Sequence, residues 1–264
     1  MFTYQNVKFQ DSIGYFPQLV KRVKHGFSWG KKWGNMTCAI NDSAIASDNT
    51  KRFLYKGSFG NIEKSINMIP KHQDEVVWID QKTISNLENN EYGKEIECDA
   101  FFTSEKELTL VVKPADCVIA IVYAQLEDQP IIGFIHAGWR GVNLGLPRKA
   151  IKYLIKDLGV DVGTIEIGVT PHLLAKSFKT PHINKLGNLS NWQDSIIKID
   201  DGYSVDMGKA TINQLIDAGV KDENIEYYQV DTYENALKGD TFSFRAHINE
   251  VNIPNGRYII AIRL

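Results

Sequence analysis

The chain has 264 residues, a net charge of −2 and a hydrophobic content of 43%, which are ordinary for a soluble globular protein and give no support to nucleic-acid or membrane-surface binding. Its three cysteines, Cys38, Cys98 and Cys117, are an odd and sparse set that favours a reducing compartment. The N-terminus lacks a signal-peptide pattern, and no apolar run approaches the ~20 residues that span a bilayer, so we expect a cytoplasmic protein.

The first hundred residues carry short strand and loop signals. Strands are predicted over residues 3–9 and 12–16, and a loop over 25–29. Residues 48–68 have a helical pattern that Gly57 and Gly60 interrupt. A short strand over 75–80 precedes a polar segment, 81–95, which we expect to be an exposed loop. Further strands are predicted over 98–103 and 108–112.

Residues 109–142 form the central stretch, with two apolar runs, 117–123 and 131–136, on either side of a polar turn at 124–130. This pattern predicts a hairpin whose strands are buried on both faces. A turn centred between Leu126 and Glu127 places Cys117 directly opposite His136. Their Cβ atoms would then lie about 5 Å apart, close enough to bind one metal ion or exchange a proton. A register slip of one residue would spoil this match.

The residues that flank the hairpin also point to a functional site. Asp116 lies beside Cys117, and His136 is followed by a glycine-bearing loop with Arg140 and then by a predicted helix, 146–158. A strand, such a loop and a helix N-terminus together favour an anion site. Taken singly, Cys117 is explained as a small buried residue and His136 as a core histidine. Their predicted pairing and the arginine loop favour a functional interpretation.

The last hundred residues predict more strands and one clear helix. A strand over 164–169 ends at a turn, and residues 176–195 show no regular period. Residues 205–207 open a helix with an apolar stripe and a C-cap at Gly219. Strands follow over 225–230 and 257–264. Because the chain has no repeat or low-complexity linker, we expect a single mixed α/β domain over residues 1–264.

Two of these motifs resemble the signature of a known family. Ala-Asp-Cys at 115–117, followed by His-Ala-Gly-Trp-Arg-Gly at 136–141, is similar to the YfiH-like family, labelled multicopper polyphenol oxidoreductase or "laccase domain" proteins and associated with purine nucleoside phosphorylase activity. Residues 98–103, 205–207 and 241–245 resemble weaker family elements. The resemblance implies an α/β (α+β) fold of layered mixed sheets, shared with the catalytic domain of cytotoxic necrotizing factor toxins.

The sequence also departs from the family pattern at several positions. The family's Gln-Val-His-Gly keeps its histidine here as His72, but Gln73 replaces the glycine. Pro114 stands where the family has threonine, and Asp231 replaces a second family cysteine. Any role of that cysteine is therefore absent or altered.

The resemblance implies a zinc ion bound by His72, Cys117 and His136. Two imidazoles and one thiolate leave a fourth tetrahedral position open, which is typical of catalytic zinc. The alternative for His72 is a surface histidine beside a proline. Copper is the less favoured metal, since a multicopper laccase needs more histidines than the four that remain of the six in this chain.

The function that the resemblance implies is zinc-dependent phosphorolysis of purine nucleosides, namely adenosine, inosine, guanosine and methylthioadenosine, with adenosine deamination as a companion activity. Arg140 and the following helix start would hold phosphate. Arg245 is a second candidate for phosphate or ribose, with a surface ion pair as its alternative. Asp116 would act as acid/base, or orient a histidine ligand. The partners are therefore small molecules, and the oligomeric state stays open.

Two other functions are consistent with the same residues. One is a metal-free Cys–His hydrolase or deamidase, with Cys117 as nucleophile and His136 as base. The other is a binding protein whose catalytic site has decayed. The departures at Gln73, Pro114 and Asp231 favour this last hypothesis slightly, whereas the intact ligand set and the intact arginine loop oppose it.

Overall fold

The computed structural model of the protein describes residues 3–4, 7–37 and 43–264, so Cys38 and part of the predicted strand 3–9 lie outside the described residues. The strands are β1 (Thr3–Tyr4), β2 (Lys8–Gln10), β3 (Ile13–Tyr15), β4 (Lys24–Ser28), β5 (Ser65–Pro70), β6 (Val76–Ile79), β7 (Asn89–Asn90), β8 (Gly93–Cys98), β9 (Ala100–Thr103), β10 (Thr109–Val112), β11 (Val118–Leu126), β12 (Gln129–Ala137), β13 (Glu166–Val169), β14 (Lys179–Thr180), β15 (Ile196–Ile199), β16 (Gly202–Val205), β17 (Ile225–Tyr227) and β18 (Ile260–Arg263). The α-helices are α1 (Ser43–Lys56), α2 (Gln81–Asn86), α3 (Trp139–Leu144), α4 (Leu146–Lys156), α5 (Met207–Asp217), α6 (Thr232–Lys238) and α7 (Phe244–Asn249). Among the described residues, no helix is long and apolar enough to cross a membrane.

Two large mixed sheets dominate the architecture. The first has the order β1-β17-β13-β11-β12-β9-β6, and the second has the order β2-β3-β4-β18-β10-β5-β8-β7. A small third sheet has the order β14-β16-β15. In the first sheet β11 and β12 pair antiparallel, whereas β6 and β9 pair parallel. The predicted mixed α/β class is therefore confirmed.

The β11–β12 hairpin lies at the centre of the core and is buried on both faces. Ile119 and Phe134 face the second sheet and pack with Ile262 of β18. On the opposite face, Val122 belongs to the same apolar cluster as Leu154 of α4. Because both faces are covered, both strands read as continuous apolar runs rather than as alternating patterns.

The predicted pairing register of this hairpin is wrong by two residues, because the turn lies one residue further along the chain than predicted. The structure pairs Ile119, not Cys117, with His136, and the turn consists of Glu127 and Asp128 alone. Glu127 has a left-handed φ of 52° and allows this tight turn without the Asn-Gly signal that usually marks one. Moving the turn by one residue shifts the pairing by two, so the face of each side chain is preserved. Cys117, directly before β11, therefore still lies on the His136 side.

Two predicted loops are also wrong. The segment 25–29 lies mostly in β4, where Gly26 pairs with Ala261 and a Cβ would lie 2.7 Å from Ile13. Glycine is thus selected by close packing between strands, not by a turn. The segment 81–95 contains α2, β7 and the start of β8 instead of an exposed loop. Asp80 begins α2, since its side chain accepts a hydrogen bond from the Thr83 N–H.

The predicted helices 146–158 and 205 onward are confirmed as α4 and α5. Asp206 caps α5 by accepting a hydrogen bond from the Lys209 N–H. The helix ends at Asp217 with Ala218 as its C-cap, one residue before the predicted Gly219. The pattern over 48–68 divides into α1 and part of β5, and the short helices α6 and α7 occupy positions without a prediction.

Candidate metal centre

Three residues from separate segments meet at one end of the central hairpin. His72 lies in the turn after β5, Cys117 lies directly before β11, and His136 is near the end of β12. One ligand atom from each residue lies within 4.8 Å of the other two. The two imidazole rings are perpendicular, with centroids 5.1 Å apart. The structure thus brings together the three predicted ligands, including His72, which no local sequence pattern could place.

A fully buried carboxylate, Asp99, connects two of these segments. Its Oδ1 accepts a hydrogen bond from the His72 N–H at 2.7 Å, and its Oδ2 accepts one from the Gln73 N–H at 2.9 Å. The same Oδ1 lies 3.5 Å from Nδ1 of His136. Asp99 therefore holds the His72 turn and directs Nδ1 of His136 toward itself, which leaves Nε2 for a ligand.

The charge state of Asp99 suits this role. Burial by itself would raise its pKa, but the close contact with His136 and the hydrogen bonds from the Gln73 and His72 N–H groups outweigh burial and lower the pKa of Asp99. The carboxyl is therefore ionised at neutral pH and can accept all three contacts. Asp99 was not among the predicted site residues, although an aspartate within an apolar strand motif is a usable signal for one.

Gly138 leaves space between two of the ligands. A Cβ at this position would lie 3.0 Å from Sγ of Cys117 and 3.5 Å from Nε2 of His136. Gly138 has φ −66° and ψ 166°, a conformation open to any residue. Its lack of a side chain is therefore a steric requirement of the centre, because a methyl group would crowd both ligand atoms.

The electrostatics favour a thiolate at Cys117. Burial opposes ionisation of this thiol, but the charge of His136 and its hydrogen bond outweigh burial and lower the pKa of Cys117 to about 6. Burial likewise disfavours protonated His136, but the Cys117 thiolate and Asp99 raise the pKa of His136 to about 9. Thiolate is the form of cysteine that binds metals, and two imidazoles with one thiolate match the donor set of an open zinc site. The residues present therefore fit a metal ion.

The side chain of Asp116 contacts the C-terminal helices α6 and α7. Its Oδ1 accepts a hydrogen bond from the Thr232 hydroxyl at 2.7 Å, and its Oδ2 accepts one from the Arg245 N–H at 2.7 Å. The contact to His136 that was one predicted role of Asp116 is made by Asp99. The carboxylate of Asp116 thus fixes the start of α7 beside the centre.

Of the two predicted arginines, Arg245 lines a groove, and Arg140 stacks on Trp139, which lines the same groove. Arg140 is exposed and stacks on the Trp139 ring at 4.6 Å, and it lies in the first turn of α3 rather than before a helix that follows Gly141. Arg245 stacks on Phe178 at 5.2 Å and donates a hydrogen bond to a backbone carbonyl, not to a carboxylate. A groove of about 420 Å³ is lined by Trp139, Phe178, Lys179, Thr180, Pro181, Leu186 and Arg245.

The structure accommodates the family departures at Gln73 and Asp231. His72, not Gln73, has the left-handed φ of 58°, so the position of the family's glycine does not require glycine here. Asp231 caps α6 by accepting a hydrogen bond from the Tyr233 N–H, and it also accepts one from the Ser177 hydroxyl at 2.6 Å. These residues replace the family pattern with ordinary structural contacts.

The chain matches one family model and is similar to proteins named purine nucleoside phosphorylase. Residues 24–264 match a family model described as multi-copper polyphenol oxidoreductase laccase. A Bacteroides thetaiotaomicron protein named purine nucleoside phosphorylase is 24% identical over 270 residues, which cover 100% of this chain and 96% of that protein. A Rickettsia conorii protein of the same name is 31% identical over 163 residues, which cover 58% of this chain and 63% of the other. The chain thus spans less than two thirds of the length of the Rickettsia relative.

Two solved structures share the fold over nearly the whole chain. Bacillus licheniformis YfiH has a TM-score of 0.85 at 17% identity and covers 99% of this chain and 100% of that one. Geobacillus stearothermophilus YlmD has a TM-score of 0.82 at 18% identity and covers 100% and 99% respectively. At these identities the likeness establishes the fold alone.

Proposed function

The chain belongs to the multi-copper polyphenol oxidoreductase laccase family, and on that premise we propose that it is a metal-dependent purine nucleoside phosphorylase. Relatives that carry the name purine nucleoside phosphorylase support the reaction class. The observation that carries the proposal is the convergence of His72, Cys117 and His136, whose ligand atoms lie within 4.8 Å of one another.

The proposed reaction replaces the bond between C1′ of the ribose and the purine by a bond between C1′ and phosphate. An oxygen of phosphate forms a bond to C1′ as the bond from C1′ to the purine nitrogen breaks. The electron pair of that bond leaves with the base, which takes up a proton. The products are free base and ribose 1-phosphate, or 5-methylthioribose 1-phosphate where the substrate is methylthioadenosine. We propose adenosine, inosine, guanosine and methylthioadenosine as substrates, and we retain adenosine deamination as a companion activity on the family resemblance.

The arginines supply the charge that a phosphate needs. Arg140 presents an exposed guanidinium above Trp139, and Arg245 contributes a second one to the groove. Cationic donors of this planar shape suit phosphate oxygens. Asp116, a half-buried carboxylate that holds the start of α7, is the candidate acid/base and keeps Arg245 in place.

Zinc is the metal we propose, held by His72, Cys117 and His136, with copper as the less favoured ion. When bound, zinc would polarise a substrate oxygen or lower the pKa of coordinated water. The contribution of the chain itself is to keep Cys117 as a thiolate and to hold His136 in one tautomer through Asp99.

The experiment that tests this function measures base release with and without phosphate. Protein purified without chelators is incubated with each of the four nucleosides. Free base and the sugar 1-phosphate are quantified, which is ribose 1-phosphate for three of them and 5-methylthioribose 1-phosphate for methylthioadenosine. We expect both products in equal amounts and only when phosphate is present. Base release that proceeds equally well without phosphate would identify a hydrolase and refute the phosphorylase assignment.

A second function is supported by the alignment of Cys117, His136 and Asp99. These residues have the order of a nucleophile, a base and an orienting carboxylate, and the pKa of Cys117 is lowered to about 6. A metal-free cysteine hydrolase or deamidase would use this arrangement directly. Activity that survives removal of metal by a chelator but is lost on alkylation of Cys117 would favour this function over the first.

A further inference from the structure

A third arginine, Arg257, lies beside the metal centre and was not singled out by the sequence analysis. The N–H of its neighbour Tyr258 donates a hydrogen bond to the Pro114 carbonyl at 3.1 Å. The segment that carries Arg257 therefore runs alongside the residues that lead into Asp116 and Cys117. Burial lowers the pKa of Arg257, while the nearby charges of Cys117 and Asp116 oppose that effect. The guanidinium also lies over the ring of Phe244, whose neighbour Arg245 donates its backbone N–H to Asp116, so it lies on the Asp116 side of the centre.

The backbone of Arg257 is held on both sides. Its N–H donates to Oδ1 of the buried Asn35 at 2.9 Å, and its carbonyl accepts from the Met36 N–H at 3.1 Å. The preceding Gly256 is buried, and a Cβ there would overlap the Phe242 ring. The position of this arginine is thus set before any ligand arrives, which reduces the entropy lost on binding.

The guanidinium is held by polar contacts and has no acidic partner among the residues that the structure describes. Its Nη1 donates to Oδ1 of Asn255 at 3.0 Å and to the Gly256 carbonyl at 2.7 Å, and its plane lies 6.0 Å from the Phe244 ring centre. Within the described ranges, no carboxylate oxygen lies within 4.0 Å of it, in contrast to Arg22, which pairs with Glu166 at 2.7 Å. A half-buried cation that forms no direct ion pair is costly, so its retention on this side of the metal centre points to an incoming anion.

We propose that Arg257 binds the phosphate co-substrate at the metal centre, with Nε and Nη2 as the fork that receives two phosphate oxygens. This inference rests on the proposed phosphorolysis. Since Nη1 is already occupied by the Asn255–Gly256 segment, the opposite edge of the guanidinium is the one that faces a ligand. Two parallel N–H donors on this edge match the oxygen spacing of a tetrahedral oxyanion.

The test compares Arg257→Gln and Arg257→Lys with a matched control, Arg52→Gln. Arg52 also donates to backbone carbonyls and stacks on a ring, Trp33, at 5.9 Å. Inorganic phosphate is titrated calorimetrically into each protein with its native metal, and the KM values for phosphate and inosine are measured separately. Metal content and thermal unfolding show whether each variant is intact.

We expect Arg257→Gln to weaken phosphate binding by about 10- to 100-fold, as for a lost charged hydrogen-bond pair, with the metal content and the inosine KM unchanged. Arg257→Lys should recover part of the affinity, and Arg52→Gln should match wild type. Unchanged phosphate affinity in both Arg257 variants would overturn the proposal. If Arg257→Gln loses more affinity for adenosine 5′-monophosphate than for inorganic phosphate, the fork binds the phosphate of a nucleotide, and the proposal is also overturned.

The outcomes for this residue and for the reaction are separable. If wild-type protein releases ribose 1-phosphate but Arg257→Gln keeps the wild-type phosphate KM, the function stands and the Arg257 assignment fails. If wild-type protein binds phosphate through Arg257 but yields no ribose 1-phosphate, the anion site stands and the phosphorylase function fails.

Discussion

The substitution Asp99→Asn removes the one carboxylate that links His72 and His136. Asp99 accepts two backbone hydrogen bonds, from the N–H groups of His72 and Gln73, and lies 3.5 Å from Nδ1 of His136. An asparagine has a single acceptor oxygen, and its amide N–H group must then face one of these three donors. One buried donor is left unpaired, which costs about 1–3 kcal/mol.

This cost should appear mainly in metal affinity, because the unpaired donor belongs to a ligand residue or to the turn that carries one. An energy of about 1–3 kcal/mol corresponds to a loss of about 5- to 150-fold in zinc affinity, the usual range for residues that orient metal ligands. The assay is competition for zinc with a chromophoric chelator at fixed pH. Asp80→Asn is the control, since Asp80 caps α2 and has no contact with the metal ligands. Equal zinc affinity of wild-type and Asp99→Asn proteins would refute the assigned role of Asp99.

Three further predictions follow from single residues. Gly138→Ala places a methyl group 3.0 Å from Sγ of Cys117, so we expect the zinc content of folded protein to fall well below one per chain, and a full complement would contradict the steric argument. Arg140→Lys keeps the charge but loses the planar fork, so the KM for phosphate should rise about tenfold, whereas wild-type kinetics would indicate a structural role. Burial lowers the pKa of His25 from 6.5 to about 4, so the unfolded chain binds a proton that the folded chain does not. The contribution of His25 to the free energy of unfolding should therefore be fully present above pH 6.5. It should fall by about 1.4 kcal/mol per pH unit as the pH is lowered from 6.5 to 4. Urea unfolding of His25→Gln over that range should lack this part of the slope, and identical slopes would refute it.

The central hairpin was predictable because the apolar character of its residues indicates directly that both of its faces are buried. The runs 117–123 and 131–136 are nonpolar at every position except His136, and the structure buries both faces of β11 and β12. The turn was not predictable to the residue, since Glu127 adopts a left-handed φ without glycine or asparagine. The error preserved the face of Cys117, because strand side chains alternate with a period of two.

Features that depend on distant contacts were predicted less well. Gly26 suggested a loop at residues 25–29, but the structure uses its small size between neighbouring strands. The location of His72 relative to Cys117 depends on Asp99, a partner 27 residues away in sequence, which local patterns do not reveal. The single-domain organisation and the cytoplasmic location stay predictions from composition.

The origin of the oxygen on the released sugar tests the central claim most directly. Inosine is incubated with the protein and unlabelled phosphate in oxygen-18-labelled water, and the sugar product is analysed by mass spectrometry. Phosphorolysis forms the bond to C1′ with a phosphate oxygen, so we predict unlabelled ribose 1-phosphate, and none from Cys117→Ala protein that has lost its metal. Free ribose as the main product from the earliest times, with no ribose 1-phosphate before it, would show that water is the nucleophile and would contradict the account.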